Sequence, residues 1–363
     1  MGRIVLRKSI SSWVMRMVER LFLRRMFFQT YLVMGGHIYF QTLSAAVQFD
    51  LFTLLARKGR LSRSQIASDL GLEEKPARIV LLGCTSLGLL KKHRDGTYSN
   101  TFLSRRLLNG ERRDNILPII KWQHFINYRA MFHFAEALKS NANVGLREIT
   151  GQGQTLYERL SSHPDLERIF QDAMQSISVQ ANHLLAEAVD LSNVARLLDV
   201  GGGNATNIIN LARAYPHLRA DVFDWPSVCG IAQANIRNAG LSERLGTVCG
   251  NCFSDPFPPG IDCILFAHFM TIWSEDRNKE LLTKAYHSLP AGGACIIFNM
   301  MQENDEKGPL SSALGSPYFL ALATGEGMLY TWNEYETWMK SAGFSRVLKR
   351  KLIRDHGLII GIK

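Results

Sequence analysis

The stretch Leu197-Leu198-Asp199-Val200-Gly201-Gly202-Gly203-Asn204-Ala205 decides the fold. An apolar run followed by three glycines reads as a buried strand that turns tightly into a helix, as at the carboxyl edge of a parallel α/β sheet. The glycines let a ligand approach the backbone closely. About twenty residues on, 219–224 reads as a second strand ending in Asp224, a carboxylate able to accept both ribose hydroxyls of a nucleoside. Ala205 stands where the last glycine of a dinucleotide loop often lies, and Asp199 precedes the loop where it can hold a cationic amine. The loop therefore favours a nucleoside with an amine over a dinucleotide. The bland alternative is an ordinary α/β turn with Asp224 as a surface carboxylate.

Working outward, 244–249, 263–268 and 294–299 read as three further buried strands alternating with helices. The apolar runs around Val347 and Leu358-Ile359-Ile360 can add an antiparallel edge. Upstream, from Tyr31 to about Asp190, helical periodicity dominates. Within it, 61–72 gives a short capped helix ending at Gly71, and 75–87 gives a second helix. Residues 89–99 then give two short strands about Asp95-Gly96, completing a winged helix-turn-helix. The expected organisation is a basic arm at 1–30, a helical winged module at 31–190 and a Rossmann-like domain at 191–363. Two domains also suit 363 residues and 40.9 kDa.

With 46% hydrophobic and 20% charged residues, the chain is neither disordered nor fibrous. Its net charge of +10 invites nucleic acid, a membrane surface or an anionic ligand as partner. That charge is unevenly spread: 1–30 holds seven basic and one acidic residue, 57–113 holds thirteen against five, and the remainder is net negative. A DNA reader presents polar and basic side chains along its recognition helix. Here 76–87 is largely apolar, with only Lys75 and Arg78 near its start, so burial against protein is favoured and nucleic acid is not. In the arm, Val14, Met17, Val18, Leu21, Phe22 and Leu23 lie among arginines, as in an amphipathic helix. It can be a targeting peptide, a membrane-surface anchor or a dimer-packing helix, the last being the default. Six cysteines give no disulfide framework, and Cys249-Gly-Asn-Cys252 lacks a second pair to complete a zinc site, so a reducing cytoplasm is expected.

Leu197-Leu-Asp-Val-Gly-Gly-Gly203, Phe223-Asp-Trp-Pro226, Cys249-Gly-Asn-Cys-Phe253, Trp273-Ser-Glu-Asp276 and Leu289-Pro-Ala-Gly-Gly293 together resemble the two-domain S-adenosylmethionine-dependent methyltransferases. These are the plant caffeate-type enzymes and their bacterial antibiotic-pathway relatives, and the resemblance spans about 35–363. It implies a class I methyltransferase domain and a winged module that forms a swapped homodimer and closes over substrate. It implies S-adenosylmethionine as cofactor, leaving as S-adenosylhomocysteine. Gly201 and Gly203 would lie near its amino acid portion with Asp199, and Asp224 would bind its ribose. Asn251, Cys252 and Phe253 would flank the adenine, with Trp225 and Ala267 completing the set. The family usually has Asp where Asn251 stands.

Other departures bear on the chemistry. O-methylating members carry a general-base histidine in a His-Asp-Trp run, where this chain has Thr271-Ile272-Trp273, and threonine takes no proton near neutral pH. The two glutamates that orient that histidine correspond to Asn299 and Leu329. His268 remains at the end of the fourth strand, either as a base or as a core histidine, and Glu326 is a second candidate base. Phe170, Met174, Phe319 and Met328 would form an apolar slot for a ring, although such spacing is also that of plain core. Asn299-Met-Met, 315–319 and 324–331 resemble the bacterial branch that C-methylates tyrosine-like rings. The expected reaction is C-methylation of a small aromatic acceptor, free or carrier-bound. O-methylation with His268 as base and a DNA-binding ligand sensor are the alternatives. His287 and His356 are the only later histidines and neither is convincingly placed, so no metal is expected.

Overall fold

The computed structural model describes residues 24–363; most of the arm expected at 1–30 therefore lies outside the described residues. The chain divides into two compact units between Ile120 and Lys121. Each forms its own core, and residues 121–188 belong to the unit that holds the large sheet.

In the first unit, helices α1 (Arg24–Met34), α2 (Gly36–Gln48) and α3 (Leu51–Lys58) precede the winged element. Helix α4 (Arg63–Leu70) starts in a capping box in which the Ser62 hydroxyl accepts from the Gln65 N–H while the Gln65 side chain accepts from the Ser62 N–H. Gly71 ends it in the left-handed conformation. Helix α5 (Glu74–Ser86) buries Ala77, Leu81 and Cys84 and turns Ile79 and Leu82 outward. Strands β1 (Leu90–Lys92) and β2 (Tyr98–Asn100) pair antiparallel, with Leu90 opposite Asn100. Both faces of α5 are thus apolar, as its sequence implies. Met26, Phe27, Phe28, Tyr31, Met34 and Ile38 are also exposed, a large apolar surface along α1 and the start of α2.

In the second unit, the 25-residue helix α6 (Pro164–Ala188) opens with proline in its first turn, where the missing N–H costs nothing. It leads into a seven-stranded sheet. The strands are β3 (Arg196–Val200), β4 (Arg219–Asp224), β5 (Leu245–Cys249), β6 (Cys263–Ala267), β7 (Ala294–Met300), β8 (Arg346–Lys351) and β9 (His356–Ile362), in the order β5-β4-β3-β6-β7-β9-β8. The first five are mutually parallel, and β9 and β8 add antiparallel as the terminal sequence implies. Helices α7 (Thr206–Ala214), α8 (Pro226–Asn238), α9 (Glu275–Ser288), α10 (Leu310–Tyr318) and α11 (Trp332–Ser341) complete the elements used below.

Side-chain alternation along β3 feeds two separate cores. Leu197 packs with Ile208, Leu211 and Ala232 on one face, and Leu198 packs with Phe266, Tyr335 and Trp338 on the other. Burial on both faces explains why the strands read as continuous apolar runs. Chain order reverses between β3 and β6, and the carboxyl ends of these strands border the crevice where α/β proteins bind ligands.

Candidate active site

The turn after β3 is built by close approach. Gly201 has φ +71°, and a Cβ there would lie 2.1 Å from the Phe269 ring. Ala205 takes the left-handed conformation at φ 68°, so the chain strains an alanine where related loops use glycine. The Gly203 N–H donates to Asp224 Oδ2 at 3.0 Å, and the Trp225 N–H donates to Oδ1 at 2.7 Å. Burial raises the Asp224 carboxyl above its usual range despite these bonds.

Asp199 is fully buried. Asn207 Nδ2 donates to its Oδ2 at 3.2 Å, whereas Oδ1 has no hydrogen-bond partner. Burial, with a smaller contribution from the Asp224 charge, pushes this carboxyl up to about 7. A buried oxygen without a donor, beside a second carboxylate, calls for a cation with N–H groups. The cradle therefore fits an amino acid ammonium at Asp199 and ribose hydroxyls at Asp224.

Beyond β5, Asn251 Oδ1 accepts from the Phe253 N–H at 3.0 Å, and the Asn251 N–H donates to Asp255. Asn251 thus shapes the turn that presents Cys252 and Phe253. Phe253 meets Trp273 edge-on, with centroids 4.8 Å apart, and the Arg277 guanidinium lies 4.5 Å from the Phe253 centroid. Burial pushes the Cys252 thiol up to about 12, which makes it a packing group and not a nucleophile. Ala267 is buried at the end of β6, and Trp225 is exposed.

The two candidate bases sit in separate networks. Glu326 accepts from the Ser274 hydroxyl at 3.2 Å and pairs with Arg277 at 3.4 Å. It belongs to a loop pinned along 271–274: Thr324 Oγ1 donates to the Ile272 carbonyl at 2.5 Å, and the Tyr330 hydroxyl donates to the Trp273 carbonyl at 2.7 Å. His268 follows β6 at φ 53°, its N–H donating to the Phe298 carbonyl. Its Nε2 lies 3.0 Å from Nε2 of His356, and burial, then the neighbouring imidazole, push its pKa down to about 3. The sequence reading weighs His356 only as a metal ligand, and its pairing with His268 is an additional contact. No local signal could have revealed it, because the contact spans 88 positions and depends on β9 pairing with β7.

Thr271, Asn299 and Leu329, which the resemblance sets at the base and its orienting acids, are all buried. Asn299 Nδ2 donates to the Tyr335 hydroxyl at 3.2 Å. Among the slot residues, Phe170 is buried, Met174 and Phe319 are partly buried and Met328 is exposed. Phe170 packs edge-on against Tyr157, and Phe319 against Tyr318, which also meets Trp122 at 5.0 Å. Sequence reading missed Trp122, Tyr157 and Tyr318 because their apolar spacing is that of any helix core.

Residues 132–345 match the model of the O-methyltransferase domain, and 31–110 match the O-methyltransferase dimerisation domain. The chain is 39% identical to an L-tyrosine C(3)-methyltransferase of Streptomyces lavendulae over 91% of both chains. It is 32% identical to a 3-hydroxy-5-methyl-1-naphthoate 3-O-methyltransferase of Streptomyces sahachiroi over 89% of this chain and 91% of that one. Among solved structures it resembles the S-adenosylmethionine-dependent methyltransferase SibL (37% identity, TM-score 0.79, 92% and 98% coverage). It also resembles human N-acetylserotonin methyltransferase in complex with S-adenosylmethionine (26% identity, TM-score 0.83, 93% and 97% coverage). The glycine turn, the two carboxylates and these matches agree, and the chain belongs to the O-methyltransferase family as an S-adenosylmethionine-dependent methyltransferase.

Proposed function

We propose that the protein methylates a ring carbon ortho to the hydroxyl of a small tyrosine-like phenol. The observation that carries this reading is the replacement of the family's entire acid-base cluster by Thr271, Asn299 and Leu329, none of which can exchange a proton near neutral pH. The 39% identity to a tyrosine C(3)-methyltransferase supports the same acceptor class.

When bound, the cofactor supplies an electrophilic methyl group. Asp199 holds its ammonium and Asp224 its ribose, with Gly201 and Gly203 along its amino acid portion. Trp225, Asn251, Cys252, Phe253 and Ala267 bound the adenine and the floor. Phe170, Met174, Phe319 and Met328 hold the acceptor ring, so that positioning lowers much of the barrier. His268 accepts a hydrogen bond from the phenol hydroxyl, which raises electron density at the ortho carbon. The methyl group that the cofactor would supply would replace the ring proton ortho to the hydroxyl, and that proton would leave to solvent. Glu326, tied to Arg277 and Ser274, braces the loop over Trp273 instead of serving as base.

Incubation with S-adenosylmethionine and L-tyrosine, other phenols or their carrier-bound forms should give a mass gain of one methylene and a new aryl-methyl NMR signal. A methoxy signal would instead establish O-methylation. His268→Ala should lower kcat on the order of a hundredfold, the scale of a lost proton-handling contact, while Glu326→Gln should retain most activity.

The exposed apolar residues of α1 and α2 and the match to a dimerisation domain support a homodimer formed through the first unit. The apolar outer face of α5 supports protein contact there over DNA binding. Six unpaired cysteines suit a reducing, cytoplasmic setting.

A further inference from the structure

The geometry points to His356 as a positioning residue that fixes the tautomer of His268, so that His268 presents an unprotonated Nδ1 to the acceptor hydroxyl. The inference deepens the proposed reaction, and its role at the substrate rests on that reading.

His356 Nδ1 lies 2.7 Å from the Arg354 oxygen, which can only accept, so Nδ1 carries the hydrogen. A neutral imidazole has one N–H, and His356 Nε2 is therefore an acceptor. It faces His268 Nε2 at 3.0 Å. Two lone pairs at that distance would repel, so His268 Nε2 carries a hydrogen and donates it. The remaining His268 nitrogen, Nδ1, is then the bare one. The same logic operates where a carboxylate orients a catalytic histidine, but here the orienting group is neutral and leaves no buried negative charge.

Both rings are held from the sheet. His268 meets Phe298 edge-on with centroids 5.0 Å apart, and His356 stacks on the same ring at 5.2 Å. His356 opens β9 directly opposite Met300. The hairpin turn before it places Arg354 and Asp355 both at positive φ, 56° and 60°, a conformation that ordinarily selects Asn-Gly. Among the bonds that hold that strained turn, the Ser311 hydroxyl donates to Asp355 Oδ2 at 2.8 Å, and the Met301 N–H donates to the Asp355 carbonyl at 2.9 Å. Strain persists where the surroundings over-determine it, and what this turn delivers is the Arg354 carbonyl under His356 Nδ1.

Burial keeps both imidazoles neutral. Among the described residues, the charged or titratable groups beside His356 are Asp355, Arg354, His183 and His268, and the one acting on His268 is His356. Losing His356 should leave His268 free to exchange tautomers.

The test uses the full-length protein with 15N-labelled histidine and S-adenosylhomocysteine, read by long-range nitrogen–proton NMR. His268 should show a protonated Nε2 and a bare Nδ1; a protonated Nδ1 overturns the proposal whatever the substrate. With L-tyrosine, His356→Ala should lower kcat on the order of tenfold to a hundredfold with KM little changed, the scale seen when an orienting partner is lost. His356→Gln, which keeps an acceptor, should restore most of kcat and should also report if the alanine variant fails to fold. Unchanged kcat in both variants would overturn the positioning role. If the wild type leaves L-tyrosine unmethylated, the acceptor assignment fails while the NMR result still decides the tautomer.

Discussion

Replacing Asp199 by asparagine should weaken S-adenosylmethionine binding on the order of a hundredfold to a thousandfold. Removing one partner of a buried ion pair costs about 3–5 kcal/mol, and Asp199 is fully buried with one oxygen unpartnered. The linkage sign is definite. Burial raises this carboxyl from 3.8 to about 7, so between those values the cofactor-free protein holds a proton that the unfolded chain has released. The resulting stability is present at low pH and is lost as pH rises through about 7. A bound ammonium reverses the preference and expels the proton. Calorimetric titrations in buffers of different ionisation enthalpy should therefore show proton release on binding below pH 7, with affinity rising toward that pH and then levelling. In Asp199→Asn both effects should vanish. Proton-neutral binding by the wild type would remove Asp199 from the ammonium site.

Gly327→Ala should be the most damaging single methyl group in the second unit's loops. A Cβ at Gly327 would sit 2.1 Å from the Thr271 carbonyl oxygen and 2.5 Å from the Ile272 carbonyl carbon, both backbone atoms that no rotamer change can move aside. The loop must lift, and with it go the hydrogen bonds from Thr324 to Ile272 and from Tyr330 to Trp273. Overpacking of this kind costs about 1–3 kcal/mol, and two lost part-buried bonds add about 1 kcal/mol each. A fall in Tm on the order of 10 °C by calorimetry is expected, together with loss of most methyl transfer. Gly230→Ala is the control: no atom lies within 4 Å of its Cβ, and it sits inside α8, so the variant should match or slightly exceed wild-type stability. A Gly327→Ala protein as stable and active as the control would show that the loop yields freely.

Much of this architecture was legible in order along the chain. The glycine turn, Asp224 and the alternation of apolar strands are local patterns, and each strand lies within a residue or two of its expected position. The capping box at Ser62 and the Asp95-Gly96 turn are equally local. What escaped were contacts that sequence distance hides. His356 meets His268 only because a terminal hairpin folds back on β7, and Glu326 finds Arg277 only because the loop of Gly327 lies against the Thr271 backbone. A candidate base can be named from its position after a strand, but its protonation depends on burial, which composition does not report. The compact units likewise divide at 120/121, whereas the expected boundary followed the change from helices to strands at 190/191. Residues 121–188 are helical in pattern yet cluster with the sheet.

The cradle of Asp199 and Asp224 also governs turnover. On the proposed assignment these two carboxylates grip the ammonium and the ribose, the parts of the cofactor that methyl transfer leaves untouched. Spent S-adenosylhomocysteine keeps every contact they offer and loses only a methyl group and the sulfonium charge. The enzyme is therefore built to be inhibited by its own by-product, and sustained flux requires a separate activity that hydrolyses it.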